Sequence, residues 1–231
     1  MSWNRLGDWW IEELGSDPVY EEEIAPQLLD LLQPVSGAKY LDLGCGEGRM
    51  MEKVARVGGQ VVGCDLNLNL LRKAGRLVVN AELPNLGWVR RGAFDGAYVC
   101  LVLEHLIDEM QFFLAAADSV RAEGPLAMLI NHPIWTAPKS SPVEHDDGEV
   151  LWRPGSYFGR GHSDEPAGDA KVRFYHRTLA DLLTSAADAG WDLHRVVEFG
   201  ISKAAVARTP AYAGQEQIPR LIGLRWLRRI R

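Results

Sequence analysis

The sequence predicts an α/β protein with a doubly wound, mostly parallel sheet of seven strands, an antiparallel edge and a lid insertion after strand 5. Three observations predict it. Short apolar segments without strict alternation recur along the chain, as strands covered on both faces require. Helical stripes separate them, and alternating strand and helix units imply a parallel sheet. One early connection is a glycine-rich turn. Composition agrees, because 47% apolar and 24% charged residues in a chain of 231 exclude a disordered or fibrous protein. At this length one core suffices, so a single domain over residues 1–231 is expected.

Residues 1–36 are expected to form a helical, aromatic cover. They carry Trp3, Trp9 and Trp10, then Tyr20, Ile24, Leu28, Leu31 and Leu32 at helical spacing, with Pro26 interrupting the helix. Strands are expected at Lys39–Leu43, Gln60–Cys64, Leu77–Val79, Asp95–Leu101 and Leu126–Ile130, and helices at Arg49–Val57, Asn67–Gly75 and Leu106–Arg121. The third helix is the clearest, with Leu106, Ile107, Met110, Phe113, Leu114, Ala117 and Val120 on one stripe. Residues 133–173 break the pattern with five of the chain's twelve prolines and five glycines, which reads as a long loop or small lid. Thr178, with Asp181 three positions on, predicts the start of another helix. Trp191–Phe199 and Ser202–Arg208 are expected as a closing antiparallel pair, and residues 209–231 as a basic tail docked on the body.

The longest apolar run, Ala97–Leu103, is far shorter than the roughly 18 residues of a membrane span, and the N-terminus shows no secretory pattern, so a cytoplasmic protein is expected. Three cysteines, Cys45, Cys64 and Cys100, fit neither a disulfide framework nor a metal site and read as buried thiols. Five arginines and no acids fall in the last twelve residues, so the rest of the chain carries 20 basic against 31 acidic groups. An acidic body disfavours a nucleic-acid partner. Oligomeric state is not encoded in any of these features.

Tyr40-Leu-Asp42-Leu-Gly44-Cys-Gly46-Glu-Gly48-Arg is a strand, a glycine turn and a helix start. Such a turn lets the backbone approach a ligand closely, beside unpaired helix N–H groups. Asp65 follows Gly44 by 21 residues, at the end of the second strand, where a carboxylate accepts bonds from ribose hydroxyls. The third glycine comes one residue too early for a dinucleotide fingerprint. A helix-capping aspartate is the structural alternative.

Leu41-Asp42-Leu43-Gly44-Cys45-Gly46-Glu47-Gly48 resembles the first motif of class I S-adenosylmethionine-dependent methyltransferases. Gly63-Cys-Asp65-Leu66 is similar to their ribose-binding turn, Asn80-Ala81-Glu-Leu-Pro84 to their adenine-side segment, and Phe94 through Leu106 to their fourth strand and its exit. The likeness spans residues 37–131. Asn131-His132-Pro-Ile-Trp-Thr-Ala, Trp152, Tyr157-Phe158 and Tyr175-His176-Arg-Thr-Leu further resemble bacterial type-11 methyltransferases of the small-molecule branch. The resemblance implies a Rossmann-like methyltransferase fold, S-adenosyl-L-methionine as cofactor with S-adenosyl-L-homocysteine as product, and methyl transfer to a small-molecule acceptor. It implies that Gly44, Gly46 and Gly48 shape the cofactor turn, Asp42 orders it near the methionine end, Asp65 holds the ribose, and Leu66 packs on adenine. Asn80, Ala81 and Leu101 complete the implied cofactor set. Asn80 departs from the family's usual aspartate, offering a neutral carbonyl to the adenine amino group.

Methyl transfer from a sulfonium needs alignment more than covalent help, and a general base only where the acceptor arrives protonated. Glu104 and His105, just past the fourth strand, are candidates, as are His132 at the end of the fifth and His176 before a helix. Each also has a structural reading as a capping or hydrogen-bonded side chain. Trp135, Trp152, Tyr157 and Phe158 are candidate covers for the acceptor, and Trp9, Trp10 and Tyr20 for the cofactor. Two rivals remain: a nicotinamide-dependent oxidoreductase and a non-catalytic adenosyl-ligand-binding protein.

Overall fold

The computed structural model describes residues 6, 7, 11, 18–167 and 169–230; Trp3, Trp9 and Trp10 lie outside them. The main strands are β1 (Lys39–Leu43), β2 (Gln60–Asp65), β3 (Val78–Asn80), β4 (Gly96–Cys100), β5 (Pro125–Asn131), β10 (Trp191–Phe199) and β11 (Leu221–Arg228). They form one sheet in the spatial order β10-β11-β5-β4-β1-β2-β3. Pairings from β3 across to β5 are parallel, and β11 runs antiparallel to both β5 and β10. The chain winds outward from β1 through β2 to β3, then crosses back to β4. A crevice therefore opens at the carboxyl ends of β1 and β4, where open α/β sheets place ligands.

Helices cover both faces because the strands are apolar on both. In β5, Leu126, Met128 and Ile130 pack with Phe112, Phe113 and Ala116 of α4 (Glu109–Ser119) and Leu182 and Ala186 of α6 (Leu179–Asp188). Ala127 and Leu129 between them point the other way, onto Leu28, Leu31 and Leu32 of α1 (Ala25–Leu32) and Met50 and Val54 of α2 (Arg49–Arg56). The remaining helix of this layer, α3 (Leu68–Ala74), joins β2 to β3. Pro26 sits in the first turn of α1, preceded by one wide helical turn at Tyr20–Ile24, so it marks a boundary as expected. The Thr178 cap is present with both of its reciprocal bonds to Asp181.

Three expectations are corrected. Ser202–Arg208 is not a strand. Ser202 Oγ accepts the Ala205 N–H at 3.0 Å and starts helix α7 (Lys203–Arg208), whose alanines favour that state. The strand that pairs with β10 is β11, taken from the segment expected to be a basic tail. Its Ile222, Leu224 and Trp226 are fully buried, and its Arg225 and Arg228 bond helix carbonyls inside the fold rather than docking on an acidic surface. Arg225 Nη1 donates to the carbonyls of Leu31 and Leu32 at the end of α1, and Arg228 Nε donates to Ala117 O at 2.8 Å near the end of α4. Gly223 leaves room for its neighbours here, because a Cβ would lie 2.6 Å from Leu31 Cδ1 and 2.8 Å from Val197 Cγ2 and make those side chains shift.

The insertion is ordered rather than a long loop. It holds a short helix, α5 (Pro133–Thr136), a hairpin of β6 (Ser141–Glu144) with β7 (Val150–Arg153), and a second hairpin of β8 (Gly161–Ala167) with β9 (Ala170–His176). Trp135 stacks on Trp152 with ring centroids 4.4 Å apart. Tyr157 O accepts from His176 Nε2 at 2.7 Å, and Tyr157 Oη accepts the Leu179 N–H at 3.1 Å. These aromatics build the insertion's own packing, while Phe158 is exposed.

Candidate active site

The glycine turn leaves β1 at Leu43 and enters α2 at Gly48. Gly44, Gly46 and Gly48 all have positive φ, and at Gly44 a side chain is doubly barred: φ is 84° and a Cβ would lie 2.5 Å from Val102 Cγ2. The neighbouring chain fixes the turn. Cys64 O accepts the N–H groups of Gly44 and Cys45, each at 2.9 Å, and Asp65 Oδ2 accepts that of Gly46 at 2.9 Å. Asp65 Oδ1 accepts the Asn67 N–H at 2.7 Å, and buried Asn67 caps α3 through its own Oδ1. One carboxylate thus ties the two ligand-facing turns together, with each oxygen keeping a further lone pair.

Beneath the turn and between the ends of β1, β2 and β4 lies a cavity of about 510 Å³. Its size is that of a small-molecule site. Asp42, Gly44, Gly46, Asp65, Leu66, Ala81, Leu101 and His105 line it, so most residues singled out from the sequence converge there. Gly48, Asn80, Glu104, His132 and His176 do not line it. Tyr20 does, as expected of a cover, whereas none of the lid aromatics Trp135, Trp152, Tyr157 or Phe158 does.

Electrostatics single out two acids. Asp42 is buried with Oδ2 lacking a hydrogen-bond partner, and burial pushes its carboxyl up to about 8 despite the nearby Tyr98 hydroxyl. Burial also raises Asp65, opposed by the N–H groups of Asn67 and Gly46. The same burial drives the Cys64 thiol up to about 12, so it stays protonated and unreactive. Leu101 adopts a left-handed backbone, φ 55°, at the cavity wall, stored strain of the kind that accompanies ligand sites.

The four candidate bases separate cleanly. His105 ends a helical turn at Leu103–His105 and faces the cavity. Its Nδ1 lies 2.9 Å from Arg173 O, so Nδ1 carries the hydrogen and the neutral ring's lone pair is on Nε2. Burial lowers its proton affinity, with Glu104 working against that. Glu104 is buried behind it, Oε1 accepting from Asn131 Nδ2 at 2.6 Å. His132 caps α5, Nδ1 accepting the Ile134 N–H at 3.1 Å while Nε2 meets Glu198 at 2.8 Å. His176 bonds Tyr157 O through Nε2 and Thr136 through Nδ1. Asn80 spends its amide on the carbonyls of Asp65 and Leu66, at 3.0 and 2.8 Å, which braces that turn.

Glu82 and Leu83, inside the adenine-side segment read from the sequence, also line the cavity, as do Arg49 and Tyr175, to which sequence reasoning assigned no site role. Arg49 carried a signal as the first residue after the glycine turn; its guanidinium stacks 3.9 Å over the Tyr20 ring and pairs with Glu21 at 3.3 Å. Tyr175 stood in a family-like motif, but its place at the cavity depends on how the second hairpin folds back.

Residues 41–128 match the family model described as a methyltransferase domain. A solved S-adenosylmethionine-dependent methyltransferase from Mesorhizobium loti superposes with a TM-score of 0.80 at 25% identity, covering 93% of this chain and all of that one. Over this stretch the chain is similar to methyltransferase domains, and its fold is shared with a solved S-adenosylmethionine-dependent methyltransferase. Among named relatives, the ubiquinone biosynthesis O-methyltransferase of Albidiferax ferrireducens is 32% identical to this chain over 127 residues, 50% of each chain. The match thus spans about half the length of that relative. An uncharacterized protein of Haemophilus influenzae is 24% identical over 205 residues, 81% of each chain. No helix among the described residues is long and apolar enough to cross a membrane.

Proposed function

We propose that the protein transfers the methyl group of S-adenosylmethionine to a small-molecule acceptor, the acceptor meeting the cofactor on the His105 side of the cavity. The observation that carries this reading is the cavity's donor set. Asp42 offers a buried carboxyl oxygen without a partner, which ionises beside an ammonium group; Asp65 offers its second lone pairs to vicinal hydroxyls; Leu66, Ala81 and Leu83 offer an apolar slot for a purine. Arg49 supplies a cation at the glycine-turn end for a carboxylate. Those match the ammonium, ribose, adenine and carboxylate groups of S-adenosylmethionine, so the residues fit it. The bound cofactor supplies an electrophilic methyl on sulfur.

The chain's own residues supply alignment, water exclusion and proton handling. Tyr20 and Tyr175 wall the cavity against solvent, and an aromatic face favours a nearby sulfonium. His105, neutral near pH 7 with its tautomer set by Arg173 O, is the proton acceptor for a protonated nucleophile. Glu104, one residue away, favours the imidazolium as it forms. His132 and His176 have structural duties at the lid. The naming of several relatives as O-methyltransferases favours an oxygen nucleophile.

Calorimetric titration tests the reading. S-Adenosylhomocysteine should bind one-to-one and NAD should give no saturable heat, since the third glycine serves packing of α2 on Ala74 rather than a pyrophosphate. Saturable NAD binding with no response to the adenosyl ligand would reverse the assignment.

A further inference from the structure

A second hollow, of about 170 Å³, opens beside the main cavity and shares His105 and Tyr175 with it. None of the glycine turn, Asp65 or Leu66 reaches it, so it lies outside the proposed cofactor cradle. Strand alternation builds its floor. Along β9, Val172 and His176 are buried, while Lys171, Arg173 and Tyr175, two residues apart, project to the opposite face. That face lines the hollow together with the edge at Val172, with Asp164 from the paired strand opposite Arg173 and Leu6 closing one side.

The charges there are unequal. Asp164 grips Arg173 with two bonds, Nε to Oδ1 at 2.7 Å and Nη2 to Oδ2 at 3.0 Å, which uses the guanidinium fork. Lys171 makes no ion pair among the described residues. With His105 neutral, the hollow holds two cations and one anion. In a chain of net charge −6, this surplus positive charge stands beside the proposed methyl-transfer site.

We propose that this hollow is an acceptor subsite that binds a carboxylate on the Lys171 ammonium while the acceptor's apolar body lies against Tyr175 and Leu106 in the main cavity. The single surplus charge matches a monoanion, whereas a phosphate dianion would meet Asp164. The proposal rests on the methyl-transfer reading for the word acceptor, though the subsite itself is present without cofactor. Selection then follows from charge: acids enter with the anion anchored and the nucleophile presented toward His105, while neutral isosteres lack the anchor.

The test uses benzoate, its neutral isostere benzamide, and phenyl phosphate, each titrated against the full chain with backbone amide shifts read at 161–176 and His105. Benzoate should shift these amides saturably and bind at least about tenfold tighter than either of the others. Lys171→Met should abolish that preference while leaving S-adenosylhomocysteine affinity unchanged, and Lys171→Arg should keep it. Equal binding of benzoate and benzamide, shifts confined to other regions, no shifts at all, or an unaltered preference in Lys171→Met would each overturn the subsite. S-Adenosylhomocysteine titrated into the same samples separates the two failures, because its failure to bind removes the methyl-transfer reading alone.

Discussion

Asp65 and Asp42 illustrate how one residue type acquires two duties from its surroundings. Asp65 was legible from its position 21 residues after Gly44, but its grip on the Gly46 and Asn67 amides was not, since those bonds need the folded turns. Asp65→Ala should therefore weaken S-adenosylhomocysteine binding at least about tenfold, with bonds to a charged acceptor contributing roughly 1.5–3 kcal/mol each, and also lower the melting temperature of the free protein. Calorimetry and a thermal melt check both parts; normal affinity would leave Asp65 a turn brace only. Asp42 gives a prediction with a sign. Its folded carboxyl lies near 8, above its ordinary value of 3.8, so its contribution to stability is complete below the ordinary value and is lost as pH rises through about 8. Asp42→Asn should flatten the fall in melting temperature between those two pH values, while weakening cofactor binding. A variant whose melting temperature falls as steeply as that of the wild type would place the cost elsewhere.

At the scale of elements, strands covered on both faces and the glycine-bounded edge strand β10 were legible, whereas β11 was not. β1 and β10 have their expected bounds, because their ends coincide with turn residues or a glycine. β11 was misread because its arginines suggested a basic tail docked on an acidic surface; their guanidinium groups instead reach helix carbonyls that only the fold brings near. Arg228→Met should consequently cost about 2 kcal/mol in chemical denaturation, whereas Arg229→Ala, which breaks an exposed pair with Asp192 and a long bond to Ala187 O, should cost far less. Equal costs would contradict the capping role. The insertion was misread for a similar reason: two-stranded hairpins alternate only between half-buried and exposed positions, which leaves a faint pattern. Hydrogen exchange should show protected amides along the β8–β9 ladder and faster exchange in the linker 154–160. Uniformly fast exchange across 141–176 would remove the hairpins.

For the molecule as a whole, the winding of the sheet decides where ligands meet. Reversal of the winding direction at β1 opens the crevice between parallel strands, the glycine turn and Asp65 line one side, and the exit of β4 lines the other; each of those was readable as a motif. The acceptor side was less readable, because it is assembled from β9, His105 and the wall at Leu106, which are remote in sequence and carry no fixed spacing. Removing residues 209–231 should abolish cooperative melting, since β11 separates β5 from β10 and buries Trp226 between helices. A truncated chain that melts cooperatively would make β11 dispensable. The most direct test of the central claim is a crystal structure of the S-adenosylhomocysteine complex. The account predicts the ligand in the cavity under the glycine turn, ribose hydroxyls on Asp65, the amino group on Asp42 and the sulfur facing the His105 side. A ligand bound elsewhere, or one whose ribose leaves Asp65 untouched, would contradict it.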